Sequence, residues 1–158
     1  MAVSPSLLDR LVDNDPGTRK ESVAASQLGL RDMRRIIRRD LIWLLTTIRL
    51  EEVTPLDDWK RVQASVLNYG VRDLSGVPEK NIDALRIERT LRDALIRYEP
   101  RLDPRSVDIG LEPFDEGGTR GQARLNISAL WANDLYNEAI VIEATIDFET
   151  GSIEADGG

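Results

Sequence analysis

The hydrophobic pattern of this chain changes its period once, close to residue 100. In three segments between residues 30 and 98, apolar side chains recur at every third or fourth position, which is typical of one face of a helix. After residue 106 they alternate with polar side chains, which is typical of a half-buried strand. Pro100 lies between the two patterns and biases Glu99 away from helical angles. Helices followed by strands predict an α+β domain whose sheet has one face against the helices.

Two long amphipathic helices are predicted before that change, over residues 30–48 and over residues 81–98. Their predicted inward positions are Leu30, Met33, Ile37, Leu41, Leu44 and Ile48 in the first helix, and Ile82, Leu85, Leu91, Leu95 and Tyr98 in the second. A short helix or turn is predicted between them, because apolar residues recur at helical spacing before Gly70. These residues are Trp59, Val62, Val66 and Tyr69.

Three strands are predicted after the change, and they form a small, mainly antiparallel C-terminal sheet. The alternating apolar positions are Val107, Ile109 and Leu111, then Ala123, Leu125, Ile127 and Ala129, then Ile140, Ile142, Ala144, Ile146 and Phe148. Turn-forming residues at 114–121 and 133–137 join the strands. The two long helices and the short helical turn are expected to pack on one face of this sheet.

A chain of 158 residues is predicted to form one domain, which buries roughly 70% of the surface that the unfolded chain exposes. We assign this domain to residues 30–153, a docking arm to residues 1–29 and a disordered tail to residues 154–158. The arm carries one apolar stripe, formed by Leu7, Leu8, Leu11 and Val12. That segment is too short to be a stable helix alone, so it is expected to dock on another surface. A frayed terminus is the alternative interpretation.

The composition excludes several kinds of chemistry. The absence of cysteine removes disulfides, thiolate zinc sites and cysteine nucleophiles, and is typical of a reducing cytosolic compartment. The absence of histidine excludes a Ser-His-Asp triad and an ordinary histidine metal site. The acidic turn at residues 13–17 does not match a calcium loop, because Gly17 falls at its fifth position rather than its sixth. We therefore expect no catalytic residue, no cofactor and no metal site.

The net charge of −7 opposes binding to phosphate backbones, so the expected partners are proteins rather than nucleic acids or small-molecule substrates. No apolar run approaches the ~20 residues that span a bilayer, and the N-terminus lacks the pattern of a cleaved signal. A cytoplasmic protein without direct membrane insertion is expected. One face of the first helix carries Arg31, Arg34, Arg35 and Arg38. It is either a solvated face or a docking surface for an acidic partner, with nucleic acid as a weaker option.

Glu99, Pro100 and Arg101 stand at the joint between the helical and strand-forming regions and are the strongest functional candidates. An ion pair can form there, either between Glu99 and Arg101 or with a partner. The alternative function is a carboxylate-dependent glycan hydrolase that uses Glu99 as its acid. Arg101 counts against this function, because a neighbouring cation favours the charged form of Glu99. The low aromatic content, 5%, also gives no sign of a sugar-binding cleft.

Four stretches of the chain resemble the phage baseplate wedge proteins that are called lysozyme-like, and above all the TssE-type baseplate subunit of type VI secretion systems. They are Ser6-Leu7-Leu8-Asp9-Arg10-Leu11, Leu41-Ile42-Trp43-Leu44-Leu45-Thr46-Thr47-Ile48-Arg49, Ser65-Val66-Leu67-Asn68-Tyr69-Gly70-Val71-Arg72-Asp73-Leu74 and Tyr98-Glu99-Pro100-Arg101-Leu102. The chain departs from the family pattern at residues 45–49, where Leu-Leu-Asn-Thr-Arg is common, and at Arg72, where proline is common.

The resemblance implies a structural component of the type VI secretion baseplate wedge, placed in the cytoplasm beside the inner membrane. It implies other wedge subunits and the contractile sheath as partners, with this subunit starting sheath assembly. In such proteins the Glu-Pro-Arg stretch supports the interface with the first sheath ring. Glu99, Pro100 and Arg101 are therefore expected to bind a partner, and so are Leu7, Leu8 and Leu11 of the arm.

Replacing Glu99 or Arg101 by alanine is expected to abolish sheath assembly at little cost in stability, because a charged pair that Pro100 holds rigid can face a partner. If the pair is buried within the monomer, each replacement is instead expected to cost about 3–5 kcal/mol of folding free energy.

Overall fold

The computed structural model describes residues 7–11, 30–76, 83–113, 121–132 and 139–155. The chain divides into two compact units, residues 1–39 and residues 40–158. Most of the predicted arm, from residue 12 to residue 29, lies outside the described residues, so its boundary with the domain stays a prediction. The described part of the second unit contains the sheet and most of the helical turns.

The helices are α1 (Leu7–Leu11), α2 (Leu30–Thr46), α3 (Lys60–Gln63) and α4 (Ala84–Tyr98). Two 3₁₀ turns, Leu50–Glu52 and Val66–Asn68, lie on either side of α3 in the sequence. The short helix predicted before Gly70 is therefore two separate turns, and two of its predicted apolar positions, Trp59 and Val66, are exposed. No helix in the described ranges is long and apolar enough to cross a bilayer.

The first long helix, α2, ends at Thr46, two residues before the predicted end. The hydroxyl groups of Thr46 and Thr47 donate to the main-chain carbonyls of Ile42 and Trp43, at 2.8 and 2.6 Å. Such bonds compete with continuation of the helix. Ile48 was predicted to face inward, but it leaves the helix and is 52% exposed. The predicted inward positions Met33, Ile37, Leu41 and Leu44 are confirmed as buried.

The second long helix, α4, begins at Ala84 because Asp83 caps it: the Asp83 carboxylate accepts the backbone N–H of Arg86 at 3.1 Å. This start is three residues later than predicted, and Ile82 lies outside the described residues. The predicted inward position Leu85 is wrong, since its side chain is 65% exposed and Ile87 is buried instead. The buried stripe comprises Ile87, Leu91, Ala94 and Leu95. Leu85 lies two residues before this stripe and hence on the opposite face of the helix.

The sheet has four antiparallel strands in the order β1 (Asp108–Pro113), β2 (Gln122–Leu130), β3 (Ala139–Asp147) and β4 (Ile153–Ala155). Burial alternates along β2 and β3 as predicted. The buried side chains are Ala123, Leu125, Ile127, Ala129, Ile140, Ile142, Ala144 and Ile146. Helix α4 packs beside β1. The α+β class is therefore confirmed, with a sheet of four strands rather than three.

The fourth strand falls partly in the segment that was predicted to be a disordered tail. Glu154 and Ala155 pair with Thr145 and Ala144 of β3, so the sheet extends to residue 155. A tight turn returns the chain after β3, and the Asp147 carboxylate accepts the backbone N–H groups of residues 149 and 150 at 2.8 and 3.0 Å. Three residues are too few to show a period-2 pattern, so no periodic signal predicts this strand.

Candidate assembly site

Glu99 ends α4, and the following proline keeps it out of the helix. Its backbone N–H still donates to the carbonyl of Leu95 at 2.9 Å, but its angles, φ −120° and ψ 76°, are not helical. The residue is only 4% exposed, which is unusual for a glutamate. A carboxylate this deeply buried requires a cation or several hydrogen bonds close to it.

Arg101 supplies that cation within the same chain. Its Nε donates to Glu99 Oε1 at 2.5 Å, and its Nη2 donates to Glu99 Oε2. The backbone N–H of Arg101 donates to the same carboxylate at 3.2 Å. The question that the sequence left open is therefore answered for the free chain, because Glu99 and Arg101 pair with each other.

Asp40 is a third member of this cluster, and sequence reasoning did not single it out. Arg101 Nη2 donates to Asp40 Oδ2 at 2.7 Å. One signal was available: Asp40 directly precedes Leu41 and so borders the apolar stripe of α2. A carboxylate at such a position is expected to reach a buried partner. We refer to Glu99, Arg101 and Asp40 as the ion cluster.

Two titratable side chains report the electrostatics of the ion cluster. Burial by itself lowers the pKa of Arg101, but its hydrogen bonds to Glu99 and Asp40 and their negative charges raise it above its ordinary value. Burial, then the charges of Asp40 and Glu99, raise the pKa of Tyr69, and Arg101 offsets only part of this effect. At Tyr69, burial and the two negative charges of the cluster therefore outweigh the one positive charge.

The middle stretch of the sequence packs directly against this joint. The Tyr98 hydroxyl donates to the main-chain carbonyl of Asn68 at 2.7 Å, and the Tyr69 hydroxyl donates to that of Asp40 at 3.4 Å. The rings of Tyr69 and Tyr98 meet edge to face, with their centroids 5.3 Å apart. Asn68 is 3% exposed, and its amide group bonds to the main chain of Glu51 and Gln63.

The end of α2 joins the middle stretch through the main chain. Val71 N–H donates to Thr47 O at 2.8 Å, and Arg49 N–H donates to Val71 O at 3.0 Å. Gly70 fits here only because it has no side chain: its φ is +120°, and a Cβ would lie 2.3 Å from Thr47 O. Three stretches that are far apart in the sequence therefore meet around the ion cluster and its two tyrosines.

The two outer edges of the sheet differ in how their backbone groups are used. On β1, Leu111 N–H donates to the carboxylate of Glu88 at 2.9 Å, and Pro113 has no N–H to offer. On β3, the Asp147 N–H donates to the carbonyl of Ser152. The backbone N–H and C=O groups of the odd-numbered residues of this strand therefore point away from β2. Strand β4 pairs only with Ala144–Ile146. Within the described part of the chain, no residue pairs with the outward backbone groups of Ala139 and Val141.

A comparison with known protein families matches residues 31–134 to the family of baseplate wedge protein gp25. The match spans about two thirds of the chain. The chain belongs to this family. Searches for similar characterised proteins and for similar solved structures returned no match. The wedge-family match includes the ion cluster and the middle stretch, whereas α1, β3 and β4 lie outside it.

The wedge family is a structural one, and the ion cluster is held together by bonds within the chain. Both carboxylates are bonded to one guanidinium of the same chain. No group of three or more acidic side chains suited to a metal ion occurs in the ranges that the structure describes. The cluster links Asp40 of α2 to the segment that follows α4.

The predicted arm residues lie in the first unit, on α1. Leu7, Leu8 and Leu11 are 74%, 50% and 75% exposed. Asp9 lies among them and bonds to Arg39 at 2.7 Å, so an ion pair fixes α1 within this unit. Arg31, Arg34 and Arg35 of α2 are exposed as predicted, and Arg38 is half-buried.

Proposed function

We propose that this chain is a wedge subunit of a type VI secretion baseplate, of the TssE kind, that contacts other wedge subunits and starts assembly of the contractile sheath. It would act in the cytoplasm, at the baseplate beside the inner membrane. The observation that carries the proposal is the wedge-family match over residues 31–134. The convergence of the resembling stretches on the ion cluster supports it, because Glu99-Pro100-Arg101 is thereby held in one fixed geometry.

The sheet supports a role in starting the sheath. A strand from another chain can add to an edge whose backbone groups lack partners, and main-chain hydrogen bonds then provide the affinity. The outward groups of Ala139 and Val141 have this property among the described residues, whereas β1 is occupied by Glu88 and ends in Pro113. We therefore assign strand addition to the first half of β3.

The arm supports contacts with other wedge subunits. Three exposed leucines on a five-residue helix bury little of their own surface, and such apolar side chains mark contact sites when they lie together. Deleting residues 1–12 is expected to leave the fold intact and to weaken incorporation into the wedge. A matched variant changes Leu7, Leu8 and Leu11 to serine and keeps Asp9. A large drop in melting temperature for either variant would show that the arm stabilises its own chain instead.

The proposal is tested in cells that encode the chain together with wedge and sheath genes. The tagged full chain should recover wedge and sheath subunits, and cells that lack it should form no sheaths. Normal sheaths in its absence would contradict the proposal. The alternative, a glycan hydrolase, is tested on the purified chain with peptidoglycan. We expect no turnover, and turnover that is lost in Glu99→Gln would establish the enzyme.

A further inference from the structure

The charge of this chain is divided unevenly between its two compact units. Residues 1–39 contain eight basic and five acidic side chains, a net charge of +3. Residues 40–158 contain 13 basic and 23 acidic side chains, a net charge of −10. Seven of the eight basic side chains in the first unit are arginines, which can bind a carboxylate through two parallel donors. The first unit is therefore a basic surface on an acidic chain.

One row of arginines on α2 leads to α1. Arg31, Arg35 and Arg39 recur at every fourth position and so lie along one face of the helix, and we call them the arginine row. Arg31 and Arg35 are exposed. Arg39 Nη1 donates to Asp9 Oδ1 of α1 at 2.7 Å, and the Asp9 side chain is only 9% exposed. This bond holds α1 at one end of the arginine row.

Helix α1 adds an apolar face beside that row. Leu7 and Leu8 lie four and three residues before Leu11, so the three side chains share one face, which we call the leucine face. Each of them is at least half exposed. A partner that covers both features must carry apolar side chains and carboxylates together, which is the composition of an acidic amphipathic segment.

The arginine row can exchange its internal contact for one with a partner. Arg35 pairs with Asp32 at 3.4 Å, and the two side chains are 77% and 50% exposed. Such an exposed ion pair contributes little to stability, so a carboxylate from another subunit can replace Asp32 at small cost.

A protein segment fits this surface better than a bilayer or a nucleic acid does. Both of those are extended anionic surfaces, and the charge of −10 on the second unit opposes binding to them. Helix α1 is five residues long, whereas a helix that binds a bilayer surface by itself buries a larger apolar face. A protein segment presents its carboxylates and apolar side chains over a short distance.

Resting on the proposed function, we propose that the first unit binds an acidic amphipathic segment of another wedge subunit. The apolar side chains of that segment pack on the leucine face, and its carboxylates bind Arg31 and Arg35. The apolar contact provides affinity, and the two exposed arginines select the partner and speed association. Arg39 is a positioning residue, because its bond to Asp9 holds the leucine face beside the arginine row.

The test measures binding of the full chain to the purified wedge complex at several salt concentrations. We expect the wild-type dissociation constant to rise by about tenfold between about 0.05 and 0.3 M salt, because salt screens exposed charges. Arg31→Gln combined with Arg35→Gln removes both exposed cations and keeps good helix formers. The affinity of this variant should fall by about tenfold at the lowest salt, and most of the salt dependence should disappear. Arg86→Gln combined with Arg89→Gln, exposed on α4 of the acidic unit, is the matched control and should bind as the wild type does.

The leucine face is tested with the variant that changes its three leucines to serine. Its affinity should be about tenfold lower at every salt concentration, while its dependence on salt remains that of the wild type. This split between the two variants distinguishes an apolar contact from a charged one. Thermal melts establish that each variant is folded, and the wild-type salt series depends on no variant.

A wild-type affinity that stays constant with salt would overturn this inference, and so would normal binding by the Arg31→Gln, Arg35→Gln variant. In both cases the wild-type chain still binds the wedge complex, so the proposed function stands. The free chain is also mixed with vesicles of phosphatidylcholine and phosphatidylglycerol, and with duplex DNA. Binding to either that the same variant loses would assign the arginine row to a bilayer or a nucleic acid and overturn the inference. Self-association that this variant abolishes would assign the row to a second copy, with the same consequence. A wild-type chain that binds neither the wedge complex nor the sheath subunit would overturn the proposed function as well.

Discussion

The ion cluster at the end of α4 and the outer edge of β3 are both candidate contacts between subunits, and they are built in opposite ways. In the cluster, a buried glutamate, an arginine and an aspartate of the same chain satisfy one another. At the edge, the outward backbone groups of Ala139 and Val141 have no partner among the described residues. The cluster is therefore tied to the stability of the chain, and the edge is not.

This difference shows how to tell a structural role from an assembly role at each place. Changes near the cluster should lower stability first and assembly as a consequence. Changes on the β3 edge should lower assembly while the chain stays folded. Arg101 lies between the two cases, because one side of its guanidinium is internal and the other reaches the surface.

Gly70→Ala should have the largest effect. The added Cβ would lie 2.3 Å from Thr47 O at a backbone angle that favours glycine. We expect a loss of roughly 3–5 kcal/mol of folding free energy, from backbone strain and steric overlap together. Denaturant unfolding measures it, with Gly76→Ala as a control that meets no atom within 4 Å at a φ of +67°. Similar losses for the two variants would attribute the effect to positive φ alone.

Glu99→Ala should have the next largest effect, a loss of about 3 kcal/mol of folding free energy. This is the lower part of the range for breaking a buried ion pair, because Asp40 still neutralises Arg101. Arg101→Ala should cost a similar amount, since it leaves the buried Glu99 carboxylate without its cation. Thermal melts of both variants decide this point. Variants as stable as the wild type would show that the ion cluster serves assembly rather than the stability of the chain.

Val141→Pro should leave stability almost unchanged and still prevent capture of the sheath subunit. Proline removes an outward N–H on an edge strand whose side chain is already 57% exposed, so the cost should be about 1 kcal/mol or less. Ile109→Pro, at an outward position of β1, is the matched variant for the occupied edge and should capture sheath normally. Capture is measured in a pull-down. Equal capture of the sheath subunit by both proline variants would show that the edges of β1 and β3 do not differ in sheath binding.

Asp147→Ala should have the smallest effect. A hydrogen bond from the Gln122 side chain, then one from the backbone N–H of Thr150, lower the pKa of Asp147. A lowered pKa in the folded state means that the stabilisation is present at neutral pH and is lost as the pH falls through that lowered value. The melting temperatures of wild type and variant should therefore differ slightly at neutral pH and converge in acid. A difference in melting temperature that persists in acid would show that the hydrogen bonds of the charged Asp147 carboxylate are not its cause.

The elements with long periodic patterns could be predicted from sequence, and the short ones could not. Helix α2 and strands β2 and β3 each repeat their pattern several times, so Ile37 and Leu125 were identified as core residues. The start of α4 depends on the Asp83 cap, and β4 is three residues long, so neither carries a periodic signal. Ile48 follows the helical spacing but instead forms an isolated β-bridge with Val71.

Within the candidate site, only the contact between residues that are close in the sequence could be predicted. Glu99 and Arg101 are two residues apart and so lie close together in any fold, and their pairing was one of two open possibilities. Asp40 is 61 residues away from Arg101, and its approach depends on how α2 packs within the second unit. The bonds of Tyr69 and Tyr98 to distant carbonyls depend on the same packing. Such long-range contacts leave no periodic trace in a single sequence.

Amide hydrogen exchange of the full chain, alone and with the purified sheath subunit, tests the central claim most directly, that the β3 edge receives a strand when the sheath starts to assemble. The account predicts that the amides of Ala139 and Val141 exchange freely in the free chain and become protected on binding. Leu111, whose N–H is already bonded to Glu88, should show no change. Protection that appears on β1, or binding that protects neither edge, would contradict the account.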